Sequence, residues 1–197
     1  MRRLPGAGVV ALLVFLSGMA ARADQLTDPI QAFVEGYDPS GNDFLANVPE
    51  RTVLLRIRAD FDNDGVDDLA LSDSSTWGNA GGQWLLFRGQ RDGSYVYWGT
   101  LFFAPDAAAL RPIGRGESEL ALYVRMSVSR GTVQMYRLTS AEIIRLSEVS
   151  VDLDRPRDRE RHDMLLRPVR QLPVEYCKLL EYRRDAAHCW HPGLGLR

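Results

Sequence analysis

Five aspartates fall within nine residues of this chain, in the run Asp60-Phe61-Asp62-Asn63-Asp64-Gly65-Val66-Asp67-Asp68. Carboxylates held about 4 Å apart repel by roughly 1 kcal/mol per pair in water, and by several times that near a protein surface. A loop that folds with so much like charge therefore calls for a counter-ion, and Ca²⁺ is suited to it, taking about six to eight oxygen ligands. The spacing names the donors. With Asp60 as the first position, alternate side chains supply Asp60, Asp62 and Asp64. Gly65 stands where such a loop turns sharply and a positive φ costs least. Val66 then offers its backbone carbonyl, Asp68 adds a carboxylate, and Asp67 points to solvent.

The residues beyond the loop decide its type. An EF-hand requires a bidentate Glu at its twelfth position and amphipathic helices on both sides. Here that position is Leu71. The flanks alternate with period two instead: Val53, Leu55 and Ile57 on one face, Arg56 and Arg58 on the other, then Leu69 and Leu71 after the loop. That pattern is a strand–loop–strand unit.

The stretch Asp60-Phe-Asp62-Asn-Asp64-Gly65-Val-Asp67-Asp68-Leu69-Ala-Leu71 resembles the D-x-D-x-D-G-x-x-D-L signature of FG-GAP/VCBS repeats. These are the calcium-binding blades of integrin α-subunit-type β-propellers, common in bacterial secreted proteins. The resemblance implies a β-hairpin in which Asp60, Asp62, Asp64, the carbonyl of Val66, and Asp68 bind Ca²⁺. It covers about a dozen residues strongly. A second, degenerate unit without the aspartates is expected near residues 107–148, where Gly114 to Leu122 and then Val133 to Tyr136 repeat the order of the first unit, near 52–103. The offset of about fifty residues suits one four-stranded blade. A propeller needs about four to eight blades, and this chain has room for two. The expected fold is therefore mainly β: one or two blade-like antiparallel units with a calcium hairpin loop, flanked by short N- and C-terminal helices. The first helix is expected over Pro29 to Tyr37, capped by Asp28 with Ile30, Phe33 and Val34 inward. The second is expected over Pro173 to Ala187, within a helical tail near 173–191.

The N-terminus sets the expected compartment. Arg2 and Arg3 precede an apolar run from Val9 to Leu16, and Ala21-Arg22-Ala23 is a small-x-small cleavage signal. This pattern is a secretory signal peptide over residues 1–23, followed by a single β-rich domain over 24–197 in the periplasm or outside the cell. No other stretch reaches the length of a membrane span. Losing residues 1–23 removes three arginines and no acid, which moves the formal charge from −2 to −5. A nucleic-acid binder would carry a clustered basic surplus instead. In an exported chain two cysteines favour a disulfide, here Cys177 with Cys189. Zinc held by Cys177, His188, Cys189 and His191 would need an awkward backbone at the adjacent His188 and Cys189.

Catalytic signatures are sparse. The three histidines are His162, His188 and His191, and no nucleophile elbow, H-E-x-x-H helix or phosphate-cradling glycine loop is present. The charged run Asp152 to Asp163 reads as a solvated connector. Trp77 stands in the polar, glycine-rich stretch 74–82, where an exposed aromatic suits contact with a partner. The expectation is a calcium-stabilised, non-enzymatic binding protein whose partner is a protein or polysaccharide of the envelope or the medium. The alternative is a calcium-dependent hydrolase of envelope glycans or phosphoesters, which needs a carboxylate pair or a histidine beside the ion.

Overall fold

The alternation on either side of the aspartate loop builds a hairpin of β2 (Val53–Ala59) and β3 (Asp68–Asp73). Their register sets Ala59 against Asp68 at the neck of the loop and Leu54 against Asp73 at the far end. The computed structural model describes residues 25–34, 36, 39, 53–166, 172–178 and 189–190; the expected signal peptide lies outside them. β4 (Gly82–Gly89) and β5 (Tyr95–Phe103) extend the hairpin into a meander. The two-residue β1 (Gln25–Leu26) pairs with the outer side of β5. On the other side β10 (Val174–Lys178) pairs with β2, and β11 (Cys189–Trp190) pairs with β10. The result is a seven-stranded antiparallel sheet in the order β1-β5-β4-β3-β2-β10-β11.

A second antiparallel sheet follows in chain order, β6-β7-β8-β9. Its strands are β6 (Ala108–Gly114), β7 (Glu117–Arg125), β8 (Arg130–Thr139) and β9 (Ile143–Asp152). The protein is thus mainly β, and among the described residues neither sheet closes into a barrel or a propeller. These four strands form an antiparallel meander from Ala108 to Asp152.

Alternation along the strands explains how the sheets meet. Leu55, Ile57, Trp84, Leu86 and Phe103 of the first sheet form one buried cluster with Leu110, Leu120, Leu122 and Leu138 of the second. The opposite face of the first sheet, with Leu54, Leu69, Leu71, Leu85 and Phe87, is covered by Ile30 and Phe33 of α1 (Pro29–Val34). A strand covered on both faces reads as a continuous buried run, and all six residues of β3 are buried. Helix α1 starts as expected: Asp28 Oδ1 accepts from the amides of Ile30 and Gln31 at 3.0 and 2.9 Å. It stops earlier than expected, because Gly36 takes a φ of 97° and its amide donates to the Phe33 carbonyl at 3.2 Å. The Val34 side chain lies outside the described residues.

Two expectations are corrected here. Where a C-terminal helix was expected over 173–187, Val174–Lys178 is strand β10. Without it β2 would present a row of unpaired backbone groups at a sheet edge. Pairing also sets Glu175 directly opposite Arg56, and the two form an ion pair. Conversely the charged run expected as a connector supplies most of helix α2 (Pro156–Leu166), which buries none of its residues. Proline suits its first turn, and Asp158 accepts from the Asp152 amide at 3.1 Å, tying it to the end of β9. Among the described residues no helix is long and apolar enough to cross a membrane.

Candidate metal centre

The aspartate loop closes on itself through its own carboxylates. The Asp64 amide donates to Asp60 Oδ1 at 3.0 Å and to Asp62 Oδ1 at 3.2 Å. The Gly65 amide donates to Asp60 Oδ2 at 3.0 Å. Two residues take left-handed backbone to make the turn, Asn63 at φ 60° and Gly65 at φ 91°. Gly65 is where the spacing requires it. Asn63 belongs to the small set of side chains that tolerate that region.

Asp68, the first residue of β3, is only 1 % exposed and is held from two directions. The Phe61 amide donates to its Oδ2 at 2.8 Å, and the Gly89 amide, at the end of β4, donates to its Oδ1 at 2.9 Å. Ligand oxygens of Asp60, Asp62 and Asp68 all lie within 4.8 Å of one another. Asp62 is fully buried, and its Oδ2 has no hydrogen-bond partner. A buried carboxylate oxygen left unpaired is costly unless something else coordinates it.

The electrostatics agree with the geometry. Burial, opposed by the two amide bonds and reinforced by the charges of Asp62 and Asp60, pushes the Asp68 carboxyl up from 3.8 to about 7. Burial, with the negative charge of Asp64 next in weight, also raises Asp62, while the Arg88 guanidinium pulls it back. Two buried carboxylates that resist ionising, with Asp60 beside them, form an environment that a cation would relieve. An all-oxygen, carboxylate-rich donor set suits a hard divalent ion and not a thiol- or imidazole-seeking one.

Of the residues expected at the site, the structure brings together Asp60, Asp62 and Asp68. Asp64 stands beside this triad, its Oδ1 accepting from the Val66 amide at 2.8 Å. Asp67 is exposed, as expected. Three neighbours have no signature in the sequence. Arg88 acts on Asp62 through space. Asn63 ties the loop to the turn between β6 and β7. Gly89 must lack a side chain, because a Cβ there would lie 2.2 Å from the Asp67 carbonyl oxygen and 3.0 Å from Val66 Cγ1.

Trp77, the expected contact residue, is half-buried at the edge of the core. Its ring packs edge-on against Trp84 at 5.5 Å, and its Nε1 donates to Ser72 Oγ at 2.8 Å. Gly82 leaves the room it occupies, since a Cβ there would fall 2.1 Å from Trp77 Nε1. Polar neighbours in the sequence masked a core-edge residue. The backbone register sets Cys177 opposite Cys189 across β10 and β11, while their side chains lie outside the described residues.

Comparison with protein-family models, with curated proteins and with solved structures finds no match to this chain.

Proposed function

We propose that this chain is an exported, calcium-stabilised, non-enzymatic binding protein of the bacterial periplasm or secreted fraction, with a protein or polysaccharide as partner. The observation that carries the reading is Asp62: a fully buried carboxylate, its Oδ2 unpaired, inside a triad of oxygen donors within 4.8 Å. Asp60, Asp62 and Asp68 would hold the ion, with Asp64 and the Val66 carbonyl as the further donors that the FG-GAP/VCBS-like spacing implies. What Ca²⁺ supplies there is charge neutralisation and a rigid hairpin. Gly89, Phe61 and Asn63 keep the loop in shape, which suits a structural ion at the junction of the two sheets. A disulfide between Cys177 and Cys189 belongs to the same reading of an exported chain, and their opposed backbone positions support it.

Thermal unfolding of the metal-stripped chain, titrated with Ca²⁺ and separately with Mg²⁺, tests the proposal. At free Ca²⁺ ten times Kd, linkage gives about 1.4 kcal/mol of stabilisation. The expected result is a rise in Tm with Ca²⁺ that Asp62→Asn together with Asp60→Asn abolishes. An unchanged Tm at millimolar Ca²⁺ would reject the metal. Pull-down from envelope extract with and without chelator then separates partner capture from turnover.

A further inference from the structure

Among the described residues the two sheets present four edge strands, and three of them are guarded against further pairing. Strands β1 and β11, at the ends of the first sheet, have two residues each. Strand β6, at one end of the second, carries Pro112, which has no amide to donate, and its register breaks between Pro112 and Gly114. The fourth edge, β9, runs for ten residues without proline or glycine. Its residues Ile144 to Glu148 are all exposed, among them the large apolar side chains of Ile144 at 37 % and Leu146 at 43 %.

Strand β9 carries one irregularity. Tyr136 of β8 faces Arg145 and Met135 faces Ser147, so Leu146 is an extra residue with no opposite number. The extra residue shifts the alternation of side chains. Ile143 packs on the cluster between the two sheets, whereas Val151 belongs to the cluster that α2 covers with Leu165 and Leu166. Eight residues apart in a regular strand, they would share a face. Arg145 and Glu148, three apart, do share one and form an ion pair.

This shift makes β9 complementary to itself. A two-fold axis perpendicular to the sheet sets two copies of an edge strand antiparallel and keeps their faces in common. In a regular strand such an axis brings together only residues an even number apart. With the axis beside Leu146 and Ser147, the bulge instead sets Arg145 opposite the second copy's Glu148, and Ile144 opposite its Val149. Each pair occurs twice, and no like charges stand opposite each other. A bulge ordinarily twists an edge away from pairing; here the same residue gives the edge its match.

We propose that this chain forms a two-fold symmetric dimer through β9, joining the four-stranded sheets of two copies into one antiparallel sheet of eight strands. The assembly closes at two copies, because the pairing uses the β9 edge of each. It does not depend on an ion at the aspartate loop.

Sedimentation equilibrium of the chain from about 1 µM to about 1 mM tests this, together with the charge reversals Arg145→Glu and Glu148→Arg. Pairing along one strand belongs to the weak class of interfaces, below about 1,200 Å², and the parent should pass from the mass of one chain to that of two within this range. Each single reversal sets two like-charged pairs across the axis and should weaken the dimer about tenfold. Both side chains are exposed, so Tm should stay within about 2 °C of the parent. An equimolar mixture of the two variants should associate as tightly as the parent, because one chain then offers two acids and the other two bases. A chain carrying both reversals should do the same. The proposal is overturned if the parent remains a single chain throughout the range, if it assembles beyond two chains, if the single reversals associate as tightly as the parent, or if the mixture gains nothing over either variant alone.

Discussion

The backbone carbonyl of Asn63, in the middle of the aspartate loop, accepts from the amide of Gly116 at 2.9 Å. The Asn63 side-chain amide returns a hydrogen bond to the Gly114 carbonyl at 2.8 Å. The first hairpin turn of one sheet is thereby fastened to the first hairpin turn of the other. Arg88 of β4 makes a second link nearby, donating to the Ser140 carbonyl between β8 and β9. The aspartate loop is therefore a joint between the sheets as well as a site, and what stiffens it stiffens their docking.

Asn63→Ala tests this joint. The change removes the side-chain bond to Gly114 and leaves an alanine at a φ of 60°. Together these should cost about 1–2 kcal/mol of unfolding free energy. Asn63→Gly loses the same bond but relieves the backbone, so it should cost less. Urea denaturation of both variants measures the difference. A loss below about 0.5 kcal/mol for the alanine would mean an ordinary surface turn.

Gly89→Ala should be worse, for a steric reason. The added Cβ would fall 2.2 Å from the Asp67 carbonyl oxygen, a backbone atom that cannot move without reshaping the loop. The same movement would stretch the Gly89 amide bond to Asp68, now 2.9 Å. An overpacked contact of this kind costs about 1–3 kcal/mol, and Ca²⁺ affinity should fall with it. Gly114→Ala is the control. It has open space around its Cβ position and should stay within about 0.5 kcal/mol of the parent.

The aspartate loop, its β flanks and the capped first helix were legible in the sequence because each rests on local spacing: alternate aspartates, period-two apolar residues, and Asp28 just before an apolar turn. What could not be read depends on distant partners. Val174-Glu175-Tyr176-Cys177-Lys178, followed by Leu179-Leu180, carries both a helical and a strand pattern, and the open edge of β2 decides for the strand. Helix α2 has no apolar stripe to announce it. Trp77 looked exposed because its neighbours are polar, yet its partners Ser72 and Trp84 lie on β3 and β4, on either side of its loop. Gly89 meets Asp68 from 21 residues away.

The raised Asp68 carboxyl makes the metal-free chain sensitive to pH in a direction opposite to ordinary acid unfolding. In the unfolded chain Asp68 ionises near its usual 3.8; in the fold it holds its proton to about pH 7. Between these values the folded state binds more protons, so this contribution to stability is full below about pH 4 and is lost as pH rises through 7. Asp62, raised for the same leading reason of burial, acts with the same sign. With chelator present, Tm should therefore fall between pH 5 and pH 8. Saturating Ca²⁺ should remove that fall, since the ion takes the place of the proton. Identical slopes with and without Ca²⁺ would show that the ion does not bind at these carboxylates.

The far end of the first sheet offers an independent test of the exported state. β10 seals the edge of β2, and Cys177 stands opposite Cys189 in the next strand. A bond between them would close a short loop and stabilise the fold by about 2–3 kcal/mol in the chain-entropy model. Cys177→Ser together with Cys189→Ser should lower Tm in oxidising buffer and change nothing in reducing buffer, where the parent should melt at the double mutant's temperature. Because β10 and the Arg56–Glu175 pair seal the same edge, the loss should be partial and the reduced chain should still fold. A parent Tm indifferent to reductant would mean that backbone pairing alone holds this edge, and the argument for an oxidising compartment would then rest on the N-terminal segment.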